Sequence, residues 1–377
     1  MRGKDSCANL LFLLSHRTKY AVRFVSQKIF RMVSAPQVSV APAQGRWQTL
    51  VEVTRGPMVE SRHDGAAVVT DGAGKIVAAW GDFEQRVYPR SAIKALQALP
   101  IVETGAAEAF DISSEELALA CASHTGEPMH TARVAAWLER IGATVSDLLC
   151  GPQWPMHEPT QHAMIAAGEP PSALHNNCSG KHAGILSTAR HFGEPMGGYV
   201  DISHPTQQRI LCVLEAMTGQ ELGPAPRGID GCSLPTIAIS LKWLAVAMAR
   251  LAAPDNLPSA RADAAERVKA AWSGYPELMS GTGRFDAAIN RALAGRGMVK
   301  IGAEGMFCAC LPALELGLAL KIADGASRAA EVATAAILRK LDVLSSSDMA
   351  ELSAWTRPLL TNRAGIQIGE VRPVETL

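Results

Sequence analysis

Arg90-Ser91-Ala92-Ile93-Lys94, directly after Pro89, decides how the rest of this 377-residue chain is read. It sets a serine and a lysine three residues apart at the start of an apolar helical pattern. On a helix the two side chains share one face and can touch. A serine hydroxyl is a poor nucleophile at neutral pH, and a neighbouring lysine desolvated enough to lose its proton can activate it. A helix start also presents unpaired backbone N–H groups, which suit an oxyanion. Alone, the tetrad is equally what an exposed helix start with a serine cap looks like. Its weight comes from its company.

Upstream, residues 50–54 alternate like a strand, and 66–70 and 75–80 flank the turn Asp71-Gly72-Ala73-Gly74 as a hairpin. Helical periodicity dominates from Ala92 to about Leu293, over 92–104, 129–142, 181–192, 206–218, 235–252 and 258–273, with breaks at Gly151-Pro152 and Gly223-Pro224-Ala225-Pro226. Strand character returns over 300–311 and 316–323 as a second hairpin around Pro312. A helix over 326–341 and a last strand over 366–371 follow. This order predicts an α/β (α+β) fold. An antiparallel sheet drawn from 47–90 and 298–377 is flanked by helices, with a helical lobe inserted over 91–297. The site is expected between sheet and lobe.

Composition narrows the class. The 36 Lys and Arg balance 36 Asp and Glu without a basic run, which argues against nucleic acid or a membrane surface as partner. With 48% hydrophobic and 19% charged residues, the chain reads as a compact enzyme or binding protein. The eight cysteines (Cys7, Cys121, Cys150, Cys178, Cys212, Cys232, Cys308 and Cys310) form no C-x-x-C pair and no disulfide-like spacing. Most are expected reduced and buried, which points to the cytoplasm. Cys308 and Cys310, two apart on an expected strand, should face one side of the sheet. No stretch reaches the roughly 18 apolar residues of a membrane span. Residues 1–45 carry basic residues and the short apolar run Leu10 to Leu14, below the roughly 7–15 residues of a signal core. They read as a poorly ordered extension, or as a start assigned too early with Met32 the true one; a transit peptide is the lesser alternative. Residues 46–377 form the catalytic domain.

Two further segments follow the first in order: Cys121-Ala122-Ser123-His124-Thr125-Gly126-Glu127-Pro128, of loop composition, and Val299-Lys300-Ile301-Gly302-Ala303-Glu304-Gly305, opening a late strand. Serine acyl-transfer enzymes of the β-lactamase and penicillin-binding type carry S-x-x-K, then S-D-N, then K-T-G. Here the series is S-x-x-K, S-H-T, K-I-G. The missing Asn and the Ile301 in place of a hydroxyl argue against β-lactam chemistry and for a smaller substrate. Singly, Ser123 is a turn residue and Lys300 a solvated strand end; in series they converge with Ser91 and Lys94. The polar cluster His175-Asn176-Asn177-Cys178-Ser179-Gly180-Lys181-His182 and the later Asp230-Gly231-Cys232-Ser233-Leu234-Pro235 each set a cysteine beside charged groups. Cys178 and Cys232 are either a thiolate zinc site or two partly buried thiols. Asp230 suits a substrate ammonium, and Arg90 or His182 a carboxylate.

The segments R-S-A-I-K, C-A-S-H-T-G-E-P, H-N-N-C-S-G-K-H-A-G, D-G-C-S-L-P and K-I-G-A-E-G together resemble the rhizobial-type (thermolabile, asparaginase II family) L-asparaginases, from about residue 48 to the C-terminus. The resemblance implies a fold like serine β-lactamases and glutaminases, and hydrolysis of L-asparagine to L-aspartate and ammonia. It implies two Ser–Lys pairs, Ser91 with Lys94 and Ser123 with Lys300, and leaves open which serine is the nucleophile. It further implies a zinc ion held by Cys178, Lys181 and Cys232 that supports substrate binding rather than the chemistry, and a homodimer. The competing readings are a glutaminase or other acyl-serine amidohydrolase, a penicillin-recognising enzyme, and a non-catalytic zinc or thiol protein. The last gives the paired serines and lysines no purpose.

Overall fold

The computed structural model describes residues 47–377, and the readings made for residues 1–45 lie outside them. Strands come at both ends of that span. β1 (Gln48–Arg55), β2 (Met58–Asp71), β3 (Ile76–Trp80) and the short β4 (Arg86–Val87) lead. Three more short strands lie mid-chain: β5 (Arg227–Ile229), β6 (Pro235–Ile237) and β7 (Ile239–Ser240). The end adds β8 (Met298–Ile301), β9 (Met306–Leu311), β10 (Leu316–Ile322), β11 (Leu359–Thr361) and β12 (Gln367–Pro373). The main sheet runs β11-β12-β1-β2-β10-β9-β8, with β3 also on β2, and every pairing is antiparallel. β2 is long enough to serve three partners: residues 58–65 pair with β1, 67–70 with β3, and 65–71 with β10.

The helices used below are α1 (Lys94–Glu103), α2 (Ser114–Cys121), α3 (Pro128–Arg140), α4 (Ser179–His191), α5 (Pro205–Thr218), α6 (Leu241–Ala252), α7 (Ser259–Gly274), α8 (Phe285–Leu293) and α9 (Ser327–Lys340). They cover the sheet on both faces. Side chains alternate along a strand, so one strand feeds two cores. In β10, Leu316, Leu318, Leu320 and Ile322 join the buried residues of α9, while Ala319 joins those of α6. β9 does the same: Phe307, Ala309 and Leu311 face α9's side, and Cys308 and Cys310 face α6's. The two cysteines thus share a side, as their spacing predicts. Cys121, Cys150, Cys178, Cys232, Cys308 and Cys310 are free thiols, all buried.

Three local expectations change. The run 300–311 is a hairpin rather than one strand: Gly302 to Gly305 turn the chain, with Glu304 and Gly305 at φ 61° and 67°. The start of the expected 235–252 helix is extended instead, because Pro235 lacks a donor and Thr236, Ile237 and Ile239 are β-branched; the helix begins at Leu241. α2 was not in the periodicity reading, yet its start is marked by a capping box between Ser113 and Glu116. Among the described residues, no helix is long and apolar enough to cross a membrane.

Leu318 is fully buried between the sheet and α9. Leu318→Ala is expected to cost about 2–5 kcal/mol, read as a lower urea midpoint with an unchanged slope.

Candidate active site

Ser91 lies in a 3-10 turn, Arg90–Ile93, that runs directly into α1. Arg90 holds φ 51°, a left-handed conformation that a side chain disfavours and that tertiary contacts must maintain. One such contact involves Gly302, beyond the end of β8. A Cβ there would meet the Pro89 carbonyl at 2.8 Å and the Ala92 nitrogen at 3.1 Å, so only glycine lets β8 and the serine turn meet.

Lys94 is fully buried. Its Nζ donates to the Ala122 and Asn177 carbonyls and lies 3.0 Å from Ser123 Oγ. The expected partner was Ser91, but Ser91 is half-buried, its carbonyl accepts from Lys94 N–H, and its hydroxyl makes no hydrogen bond among the described residues. The physical reason is acceptor supply: an ammonium has three protons, and the 122–123 loop and Asn177 offer three acceptors in one dry place. Lys300, on β8 and 1% exposed, comes to the same hydroxyl from the other side, its Nζ 3.0 Å from Ser123 Oγ and 3.1 Å from the Ile301 carbonyl. Ser123 is therefore shared by both lysines. Burial, reinforced by the nearby Lys94, pushes Lys300 down to about 7, against the pull of Asp286. Asp286 Oδ2 is 3.9 Å from Lys300 Nζ, and Ser280 Oγ donates to its other oxygen.

The Ser123 loop is held from behind. Ser123 N–H donates to the Met279 carbonyl and His124 N–H to that of Asn177. His124 Nδ1 accepts from Gly126 N–H, so its Nε2 carries the proton toward Ser179 Oγ at 2.9 Å; burial keeps the ring neutral. Glu127 Oε1 accepts from Thr125 Oγ1 and Thr282 N–H, and Oε2 from Thr282 Oγ1. That clamp draws Gly281 (φ 126°) against Thr125, where a Cβ would lie 1.9 Å from Oγ1. Burial works to raise the Glu127 pKa, but the Thr125 and Thr282 hydrogen bonds outweigh it and hold the carboxyl below its ordinary value.

A second cluster adjoins the first. Cys178 precedes α4, and Lys181 on that helix donates to Cys232 Sγ at 3.1 Å. Hydrogen bonding from Cys232 and the charges of Lys181 and Lys94 hold the Cys178 thiol well below its usual range despite burial. Burial opposes the Lys181 charge, but the two sulfurs and Asp230 outweigh it and raise its pKa. Asp230 and Arg90 pair with each other, Oδ1 lying 2.9 Å from Nε and 2.8 Å from Nη2. Burial alone would raise the Asp230 carboxyl; Lys181 and Arg90 lower it instead. His182 is fully buried and neutral. Tyr199 OH accepts from Leu149 N–H and lies 2.6 Å from His182 Nδ1. His182 Nε2 has no hydrogen-bond partner among the described residues.

Nine of the ten residues singled out from the sequence thus fall into two adjoining groups, and the tenth, His182, packs against Tyr199. Lys94 and Lys300 meet at Ser123, with Ser91 on the turn that Gly302 admits; Cys178, Lys181 and Cys232 meet beside the Arg90–Asp230 pair. Lys94 links the groups through Asn177 and Cys178. No group of three or more His, Cys, Asp and Glu side chains suited to a metal occurs among the described residues; the trio here counts an amine. A cavity of about 20 Å³ opens beside Arg90, Lys181 and Asp230, bounded by Gln97, Gln207 and Thr236. A larger cleft, about 200 Å³, is lined by Arg86, Ser240 and Trp243 and touches none of the ten. The Asn177 carbonyl, Glu127, Tyr199 and Asp286 were not read as functional. Asn177 and Glu127 lay inside quoted segments, whereas nothing in the sequence near Asp286 signals its neighbour fourteen residues on.

The family model for L-asparaginase II matches residues 51–373. No curated protein matches the chain. Among solved structures, a β-lactamase from Mycobacterium bovis is 16% identical, with 74% of this chain and 94% of that one covered and a TM-score of 0.36. Mglu in its glutamate form is 16% identical over 74% of this chain and 61% of its own, with a TM-score of 0.33.

Glu127→Ala leaves three donors without their acceptor. The expected loss is about 1–3 kcal/mol at neutral pH. Because the folded carboxyl has the lower pKa, its contribution is full above the unfolded value and disappears as pH falls through the folded one. Urea unfolding should show the mutant and wild type converging below about pH 4.

Proposed function

This chain belongs to the L-asparaginase II family, and we propose that it hydrolyses L-asparagine to L-aspartate and ammonia through an acyl-serine intermediate. As an asparaginase-type amidohydrolase it takes a small-molecule amide. The observation that carries the mechanism is the Ser123 hydroxyl held at 3.0 Å by two buried lysines beside the turn bearing Ser91.

Ser91 is the nucleophile in this reading. A nucleophile must reach the amide carbon, and Ser91 is the serine whose hydroxyl is half-exposed and uncommitted, whereas Ser123 is 7% exposed and taken by both lysines. Lys94, with its protons directed at the Ala122 and Asn177 carbonyls and Ser123 Oγ, serves as a donor. Lys300 is the base, because burial lets it shed its proton near neutral pH. The Ser91 proton passes to Ser123 Oγ as the Ser123 proton passes to Lys300 Nζ. The Ser91 oxygen bonds the amide carbon, with backbone donors at the turn receiving the oxyanion. Lys300 then returns the proton through Ser123 to the departing nitrogen, which leaves as ammonia. Water, activated along the same path, frees aspartate and restores Ser91.

The adjacent charges of Arg90 and Asp230 match the adjacent charges of an α-amino acid: carboxylate on the guanidinium, ammonium on the free Asp230 oxygen. His182 Nε2, buried and without a partner among the described residues, offers the carboxylate a second contact in the tautomer that carries its proton there. The donor chemistry of Cys178, Lys181 and Cys232, two converging sulfurs and an amine, fits zinc. Zinc bound there supplies positive charge to the substrate-binding side. Lys181 must give up a proton to ligate, and Asp230 lies where it can receive substrate instead. A cytoplasmic homodimer completes the reading, the dimer being tested by sedimentation.

Ammonia release from L-asparagine, run beside L-glutamine, tests the activity. One methylene is worth about 1–3 kcal/mol in an apolar pocket, so a rate on glutamine equal to that on asparagine would reassign the substrate. Ser91→Ala is expected to lose at least about a thousand-fold in kcat. Quenched wild-type enzyme should carry an aspartyl group on the peptide containing Ser91; the adduct on Ser123 instead would exchange the serines' roles. Activity should rise with pH around a midpoint near 7 as Lys300 becomes neutral. Elemental analysis should find zinc in the wild type and not in Cys178→Ser, and chelation should raise KM for asparagine more than it lowers kcat.

A further inference from the structure

The Lys300 amine meets both the Ser123 hydroxyl and a buried carboxylate. Asp286 stands near the start of α8, only 2% exposed, with Oδ2 at 3.9 Å from Lys300 Nζ. Ser280 Oγ donates to Oδ1 and fixes the carboxylate's orientation. Ser280 is itself fully buried, one residue past the Met279 carbonyl that anchors Ser123 N–H. Asp286 thus lies beside Lys300 and is tied into the segment that positions the Ser123 loop.

The geometry points to Asp286 as a positioning residue that aims Lys300 at Ser123 and sets how readily Lys300 takes and returns the proton. This rests on the reading of Lys300 as the base. A base that must accept a proton in one step and surrender it in the next needs a nearby anion in a dry site. Without one, the ammonium formed on attack is stranded in low dielectric. Asp286 supplies that anion at a distance longer than a tight ion pair, so the ammonium is supported without being locked.

The charged and titratable groups facing this pair come from every side. Lys94 on α1, Cys121 on α2, Cys178 before α4 and Arg284 before α8 act on Lys300. Arg284 and Asp286 both act on Glu331 of α9, which burial pushes up to about 7. Burial moves Glu331 toward the range of Lys300, and Glu331→Gln is therefore the control that separates the two.

The test reads Lys300 directly and activity separately. In the full chain carrying 13C at lysine Cε, the Lys300 signal, assigned by its loss in Lys300→Arg, is titrated by NMR in wild type and Asp286→Asn. Removing the anion should move the Lys300 midpoint to lower pH by about 1 unit or more, while Asp286→Glu restores most of it and Glu331→Gln moves it little. A midpoint unmoved or raised in Asp286→Asn overturns the inference. Should the Asn variant not fold, Asp286→Ser, smaller and also neutral, gives the same reading. If the enzyme works as proposed, the acid limb of kcat shifts with the lysine, so Asp286→Asn keeps a larger share of its plateau below pH 7 while the plateau itself falls at least several-fold. A merely structural role would lower stability and leave the midpoint in place. A lysine midpoint that moves while the activity profile does not upholds Asp286's hold on Lys300 and refutes Lys300 as the base.

Discussion

One serine hydroxyl shared by two buried lysines is the constraint around which this protein is built. Ser123 Oγ lies 3.0 Å from both Lys94 Nζ and Lys300 Nζ, and neither lysine is more than 1% exposed. Two full positive charges that close repel by several kcal/mol even at an intermediate dielectric. The surroundings resolve the conflict asymmetrically. Lys94 meets the carbonyls of Ala122 and Asn177 as well as the serine. Lys300 has one carbonyl and a more distant carboxylate, and burial lets it go neutral near pH 7. The Ser123 hydroxyl is thereby fixed between two amines of unequal surroundings.

That arrangement depends on backbone placed from four parts of the chain. Lys94 comes from α1, Ser123 from the loop after α2, the Asn177 carbonyl from the segment before α4, and Lys300 from the sheet's edge strand β8. Each approach is tight. Gly302 admits the serine turn to the end of β8, and Gly281 admits Thr125 under the Glu127 clamp. The buried polar groups behind the loop are satisfied by one another, as the cost of an unpaired buried donor requires. His182 Nε2, beside the thiol cluster, and Arg284 Nε are among the exceptions.

Much of this was legible in the chain itself. The alternating run 50–54, the hairpin over 66–70 and 75–80, the helical middle and the returning strands marked out an antiparallel sheet flanked by helices. The same-side placement of Cys308 and Cys310 followed from strand period alone. Other features were hidden for identifiable reasons. A single extended run over 300–311 conceals a hairpin, because the turn uses Glu304 at positive φ, which composition does not flag. The apolar stretch from Pro235 reads as helical until packing makes its β-branched start extended.

Residue type and local order determined that serines, lysines, cysteines and charged groups of the right chemistry recur in sequence, because such motifs are local and each is set by neighbours a few positions away. Tertiary structure alone decided who meets whom. It took Lys94 from the serine three residues before it and gave it to Ser123, because the dry loop offered more acceptors than a half-exposed hydroxyl. It paired Arg90 with Asp230, 140 residues apart, and it set Asp286 behind Lys300. Those contacts join positions remote in sequence, and the energy that selects among them lies in burial and unpaired charge, which come into being only when the chain closes on itself.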